Sequence, residues 1–161
     1  MKNIKIRVGH GIDVHRFVKG RPLILGGIKI PFEKGLKGHS DADVAIHAII
    51  DALLGAAALD DIGTHFPNTD PQYKDISSAI LLKRTIVLLH EHGFKVENID
   101  VTIVAQKPKM RSYIPEIRRS LSSILDLPER YISVKATTTE NMGFTGRGEG
   151  ILAIATTTIM E

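Results

Sequence analysis

Apolar and charged side chains alternate at the start of the chain, where Lys5 and Arg7 separate Ile4, Ile6 and Val8, and this period of two predicts a half-buried strand. After Gly9-His10-Gly11 the extended pattern resumes with Ile12, Val14 and Phe17, which puts Asp13 and His15 on one face. Leu23–Leu25 and Ile28–Ile30 flank Gly26-Gly27, a pair suited to a tight turn, and predict a short hairpin at a sheet edge. The period then lengthens to that of a helix. Val44, Ile46, Ile49, Ile50, Leu53 and Leu54 form a wide apolar face, from a cap at Ser40 or Asp41 to about Leu54 with Gly55 near the end. Asp43, His47 and Asp51 make its polar stripe. A second helix, structural in character, is predicted from Asp75 or Ser77 through Ile80, Leu81, Thr85, Leu88 and Leu89 to a Gly93 cap. Val96–Ala105, Ile132–Ala136 and Ile151–Ile159 read as strands, and Ile114–Leu125 as a helix that tolerates Pro115 in its first turn.

Strands rich in Val, Ile and Thr, interleaved with three helices, predict an α/β or α+β sandwich of one sheet against helices, with the strand order open. No linker, repeat or shift of composition divides the 161 residues, so one domain over 1–161 is expected. At 43% hydrophobic residues the chain can fill a core of its own. Charge alters the picture little: 21 Lys plus Arg against 18 Asp plus Glu leave +3, and aromatics are 5% with no Trp. Neither a polyanion-coating surface nor a base-stacking platform is indicated. No signal-peptide pattern opens the chain, and the longest run without a polar side chain, Ala52–Leu59, falls short of the roughly 20 residues that span a bilayer. A cytoplasmic protein that engages no membrane and no nucleic acid is expected.

The absence of cysteine excludes disulfides, Cys-ligated zinc, iron-sulfur clusters and a cysteine nucleophile. Any metal must therefore be held by His, Asp or Glu. Asp13 and His15, two apart on a strand, form a chelating pair, and His47 is the third candidate. Two imidazoles and a carboxylate leave a tetrahedral ion one open position for a water or phosphate oxygen. Asp43 or Asp51, one helical turn to either side, could accept the second ring N–H of His47. The competing reading is a solvated pair beside a salt-bridging helix histidine. Gly9 and Gly11 permit close approach of a ligand or of another backbone, and His10 falls on the opposite face of a regular strand.

Two further segments carry candidate chemistry. In Lys135 to Gly150, the hydroxyls of Thr137, Thr138 and Thr139 with nearby N–H groups can take phosphate oxygens, Glu140 a hard cation, and Arg147 a phosphate. A β-rich turn is the alternative. Ala105-Gln106-Lys107-Pro108-Lys109-Met110-Arg111 sets three cations around a proline. It reads either as a surface charge cluster or as a rigid loop that faces a base edge while Lys109 or Arg111 meets phosphate. Asp60 to Pro71 is turn-rich and acidic, a composition that carries function or merely connects helices.

In order along nearly the whole chain, GHGIDVH, HSDADVAIHA, DIGTHFP, AQKPKM and KATTTENMGFTGRGEG closely resemble the 2-C-methyl-D-erythritol 2,4-cyclodiphosphate synthase family of the non-mevalonate isoprenoid pathway. The resemblance implies an α+β fold with one mixed sheet against about three helices. It also implies a homotrimer with its sheets facing the centre and active sites between adjacent subunits. It implies zinc on Asp13, His15 and His47, and a second divalent ion, Mg2+ or Mn2+, held with Glu140 on the substrate diphosphate. His39 and Thr138 match groups that stabilise the transition state, and Val14 and Ser40 lie in matching substrate segments. Asp61, Ile62, Gly63, Phe66, Pro67, Asn68, Thr69 and Asp70 match the pocket for the methylerythritol unit. Ala105 to Arg111 and Thr137 to Glu140 match cytidine and diphosphate contacts, which Phe144 and Arg147 complete.

The reaction so implied converts 4-diphosphocytidyl-2-C-methyl-D-erythritol 2-phosphate to the cyclic diphosphate and CMP. A zinc-dependent phosphohydrolase and a non-catalytic nucleotide-binding trimer are the alternatives. Two positions depart from the family pattern: Asn68 stands where Asp is common, and Ala42 where Gly is common. Asn68 keeps an acceptor without the charge, while Ala42 is expected in a helix first turn, where alanine is tolerated.

Overall fold

Residues 5–161 are described by a computed structural model. Ile4, where the first strand is predicted to begin, lies outside them. That strand does not break at Gly9–Gly11: β1 runs continuously over Ile6–Val18. Its period of two assigns the faces. Ile6, Val8, His10, Ile12 and Val14 are exposed on one, whereas Gly9 and Gly11 are buried and Asp13 and His15 half-buried on the other.

β2 (Leu23–Leu25) and β3 (Ile28–Ile30) form the predicted hairpin, as a separate two-stranded sheet and not as an edge of the main one. Gly26 and Gly27 take φ values of 60° and 80°, which side chains resist. The chain continues through β4 (Gly35–Leu36), α1 (Val44–Ala57), α2 (Ile62–His65), α3 (Ser78–Glu91), β5 (Lys95–Val104), α4 (Ile114–Leu125), β6 (Ile132–Thr137), α5 (Gly143–Gly146) and β7 (Gly150–Met160). β4, α2 and α5, at two to four residues each, are too short to leave a period in the sequence.

Among the described residues five strands make the main sheet, in the order β4-β1-β7-β5-β6. All pairs are antiparallel except β5 with β6, which α4 connects as a crossover. The sheet is therefore mixed, and three long helices pack on one of its faces, as an α+β fold requires. No helix among the described residues is long and apolar enough to cross a membrane.

α1 is buried nearly all round, with Ile46, Ile49, Ile50, Leu53 and Leu54 fully enclosed. It can lie close over β1 because that strand carries glycine where it passes. A Cβ at Gly9 would stand 1.8 Å from the Ala52 carbonyl oxygen, and one at Gly11 2.1 Å from that of Ala48. The other face of β1 is left uncovered, with Ile6, Val8, Ile12 and Val14 exposed by 68, 66, 53 and 46%.

The helix begins later than the pattern suggests and ends later. Asp43 is the cap, not Ser40 or Asp41, and the last turn passes Gly55 to reach Ala57. The reason is tertiary. Asp43 is fully buried, and its carboxyl oxygens accept from the Gly26, Gly27 and Ile46 N–H groups at 2.9, 2.7 and 3.1 Å, tying the β2–β3 turn to the helix start. Ala42 accordingly precedes the helix and is not in its first turn. It sits at φ 59°, a region in which the family's common glycine is free of Cβ crowding. Asp43→Asn would keep one acceptor and turn an NH2 group toward a backbone N–H. A loss of about 1–3 kcal/mol is expected in urea unfolding, and an unchanged midpoint would contradict the three-donor assignment.

Candidate functional site

Asp13 and His15 face the helices from β1, and His47 reaches them from the first turn of α1 across the gap that the strand glycines keep narrow. His15 Nε2 is 2.9 Å and His47 Nδ1 3.0 Å from the same Asp13 Oδ2, and the two nitrogens are 3.1 Å apart. Three donor atoms of the types that divalent ions prefer thus meet at one point, which could hold a metal ion.

Each imidazole is oriented from behind. His15 Nδ1–H donates to the Lys37 carbonyl at 2.7 Å, leaving Nε2 toward Asp13. His47 Nε2 lies 2.9 Å from Ser78 Oγ and 3.2 Å from Ser40 Oγ, leaving Nδ1 toward Asp13. The carboxylates expected to serve His47 do not do so. Asp43 is committed to three backbone donors, and Asp51 accepts from the Ile62 N–H at 2.8 Å. These four backbone N–H groups, at a turn and at helix starts, need an acceptor, and that demand outcompetes a side chain that has serine hydroxyls at hand.

Burial alone would raise the Asp13 carboxyl, but hydrogen bonds from His15 and His47, reinforced by their charge, hold it well below the usual carboxylate range. For His15, burial pulls downward. The Asp13 bond and charge, with the Lys37 carbonyl, overcome it and raise the imidazole above its ordinary value.

The three donors sit in a cleft of about 350 Å³ that Gly38, His39, Ser40, Ile62, Gly63, Phe66, Pro67, Asn68, Tyr73 and Leu81 complete. The Asp60–Pro71 segment is shaped by caps. Asp61 accepts from the Thr64 N–H at 2.8 Å to start α2, and Asp70 caps a 3-10 turn over Pro71–Tyr73. The Asp70 carbonyl also accepts from His39 Nε2 at 3.1 Å. Arg21 donates to the carbonyls of Gly38 and Ser40, on either side of His39. Asp61, Thr69 and Asp70 do not line the cleft, and Val14 belongs to an open hollow beside it shared with Arg16, Lys37 and Asn68.

The remaining predicted residues gather elsewhere. Ala105, Gln106, Pro108, Lys109, Met110, Arg111, Thr137 and Thr138 line a cavity of about 480 Å³. Parallel pairing of β5 with β6, through Val104 opposite Thr137, sets the two segments side by side. Lys107 and Arg147, with Gln106, border a further hollow beside Phe17 and Phe32. Thr138 Oγ1 donates to Glu140 at 3.0 Å, and both residues are exposed. Thr139 instead donates to the Met142 carbonyl and bonds Thr145, anchoring α5, in which Phe144 is half-buried. Arg147 pairs with Glu149. Among the described residues none lines both the metal-ligand cleft and the 480 Å³ cavity.

The profile of the YgbB family matches residues 6–160. The chain belongs to this family, that of the 2-C-methyl-D-erythritol 2,4-cyclodiphosphate synthases. The 2-C-methyl-D-erythritol 2,4-cyclodiphosphate synthase of Syntrophobacter fumaroxidans is 57% identical over 150 residues, 93% of this chain and 94% of that one. Among solved structures, the bifunctional IspDF from Campylobacter jejuni superposes with a TM-score of 0.95 at 43% identity, covering 98% of this chain and 43% of that one. The CDP complex of IspF from Plasmodium falciparum superposes with a TM-score of 0.84 at 34% identity, over 96% of each chain.

Within the synthase fold, four residues to which the sequence assigns no part in the site touch it from behind: Arg21, Lys37, Asp41 and Ser78. Lys37 acts through its carbonyl, which no side-chain pattern reports. Ser78 opens a helix whose apolar period announced only packing, and 37 positions separate it from Asp41.

Proposed function

We propose that the chain converts 4-diphosphocytidyl-2-C-methyl-D-erythritol 2-phosphate to 2-C-methyl-D-erythritol 2,4-cyclodiphosphate and CMP, with zinc on Asp13, His15 and His47. The observation that carries this reading is the convergence of those three donors in a cleft, in a chain of this family. The donor set fits the ion, since each imidazole already spends its other nitrogen on an oxygen behind it. Zinc and a second ion, Mg2+ or Mn2+ near Glu140, supply withdrawal of charge from the phosphate oxygens when bound.

The chain's own residues position and stabilise. Ile62, Gly63 and Phe66 offer an apolar wall to the methylerythritol unit, and Asn68 an acceptor and a donor for its hydroxyls. His39, and Thr138 with its hydroxyl turned from Glu140, donate to the oxygens that gain charge, His39 being steadied by Arg21 on its flanking carbonyls. Lys109, Arg111 and Arg147 meet the diphosphate, and the backbone from Ala105 to Arg111 the cytosine edge. An oxygen of the substrate's 2-phosphate attacks the β-phosphorus, the bond from that phosphorus to the CMP oxygen breaks, and no water enters. Holding the two reacting groups in line supplies much of the rate.

Two features favour a homotrimer with the sheets facing its centre. The metal cleft and the 480 Å³ cavity are separate on one chain, and the sheet face opposite the helices is apolar and exposed. Adjacent copies would cover that face and join the two half-sites. Sedimentation at micromolar concentration should give the mass of three chains, and a monomer would overturn the shared site.

Phosphorus NMR in isotopically labelled water tests the reaction. Unlabelled cyclic diphosphate with CMP supports cyclisation, whereas label in the product means hydrolysis. Metal binding should also depend on pH. Because Asp13 raises His15 above its ordinary value, an incoming ion competes with a proton for that ring up to a higher pH than it would at a free imidazole. Zinc affinity is expected to climb with pH through the His15 titration and level off above it, read by chelator competition from about pH 5.5 to 8.5. A flat profile would remove His15 from the ligand set.

A further inference from the structure

The geometry points to Asp41 and Ser78 as positioning residues that fix the ring of His47 through a carboxylate-hydroxyl-imidazole relay, a role we infer in addition to the ligand set and resting on the metal reading of that set. Ser78 is the first residue of α3 and fully buried. Its hydroxyl donates to Asp41 Oδ1 at 2.5 Å, and its N–H donates to Asp41 Oδ2 at 2.9 Å. A serine hydroxyl has one proton, so with that proton on the carboxylate its oxygen has only lone pairs left to offer. His47 Nε2, 2.9 Å away, must therefore be the donor. A proton kept on Nε2 leaves Nδ1, 3.0 Å from Asp13 Oδ2 and 3.1 Å from His15 Nε2, as the nitrogen that exchanges its bond to Asp13 for a bond to an ion.

The carboxylate is itself held. The Asp41 N–H donates to the Ile76 carbonyl at 3.0 Å, and the bidentate grip on Ser78 fixes the plane of the side chain. With the proton on Nε2 fixed by Ser78, Ser40 Oγ, 3.2 Å from the same nitrogen and already accepting from the Ala42 N–H, can meet the ring only as a second acceptor. Asp41 also stands in for a missing cap, since Ser77 makes no capping bond of its own. A purely structural role would thus alter the stability of α3 and leave the His47 ring unaffected. The positioning role predicts an effect on the ring itself.

The test compares Ser78→Ala and Asp41→Asn with the wild-type chain in two readouts. Nitrogen NMR of the metal-free proteins reports the His47 tautomer, and competition titration with zinc alone reports affinity. Wild-type protein should keep its proton on Nε2, whatever Nδ1 does beside Asp13. Ser78→Ala should show a mixture, with the zinc dissociation constant raised about 10–100-fold. Asp41→Asn frees the Ser78 proton to point at Nε2 and should shift the tautomer toward Nδ1–H. If Ser78→Ala fails to fold, Asp41→Asn carries the same two readouts. Wild-type tautomer and wild-type affinity in a folded variant would overturn the relay while leaving the metal site in place. Absence of zinc binding by the wild-type chain would instead overturn the metal reading and the relay with it.

Discussion

Replacing His47 with alanine is expected to leave a folded protein that loses zinc on gel filtration and releases CMP about 10²–10³-fold more slowly or not at all. Alanine suits a helix, and the position is half-buried, so the backbone of α1 has no reason to move. What goes is one of three donors. Asp13 and His15 alone give a divalent ion a two-point hold, and the Asp13 carboxylate loses one of the two imidazoles that keep it ionised despite burial. Circular dichroism should match the wild type. Full activity in the metal-stripped variant would sink the assignment of this cluster.

The same variant tests whether two copies share each site. Mixed with Thr138→Ala in equal amounts and allowed to exchange subunits, it should regain about a quarter of the wild-type activity, because a cyclic assembly pairs an intact cleft with an intact neighbouring loop in about one site in four. No recovery on exchange would place both halves of each site on one chain.

Gly11→Ala is the second large effect, and it acts on stability and site together. The added Cβ would stand 2.1 Å from the Ala48 carbonyl oxygen and 2.7 Å from the Ala52 backbone nitrogen, and neither backbone atom has anywhere to go within a buried helix. Overpacking of this kind costs about 3 kcal/mol or more when the obstacle is backbone. Relief comes only if α1 lifts from β1. That motion carries His47 away from Asp13 and His15, so zinc affinity should fall along with the unfolding midpoint. Gly55→Ala is the contrast. Its Cβ meets nothing closer than the His10 carbonyl oxygen at 3.9 Å, and alanine in that helical position should add about 0.5–1 kcal/mol. Equal responses from the two variants would show that close helix packing is not what Gly11 provides.

Much of this was visible in the order of residues. The alternation from Ile6 onward, the wide apolar face of α1 and the matched ends of Ile114–Leu125 rest on period alone, and period survives any tertiary arrangement. The start of α1 did not follow the pattern, because the acceptor that caps it was chosen by the Gly26-Gly27 turn and not by local spacing. For the same reason Asp43 and Asp51 looked like partners of His47 on a helical wheel, although each was claimed by backbone donors from another element.

By itself the sequence determined which side chains are available: a cysteine-free set of oxygen and nitrogen donors, a D-x-H pair whose common face follows from the two-residue repeat of a strand, and a histidine on a helix. It could not determine that these meet. That depends on two glycines removing the Cβ atoms between β1 and α1, on a serine 31 residues beyond His47 arriving at the ring, and on strand order placing the loops after β5 and β6 two and three strands from β1. Donor chemistry is a property of each residue, whereas the convergence of donors is a property of packing distance, which only the folded chain sets.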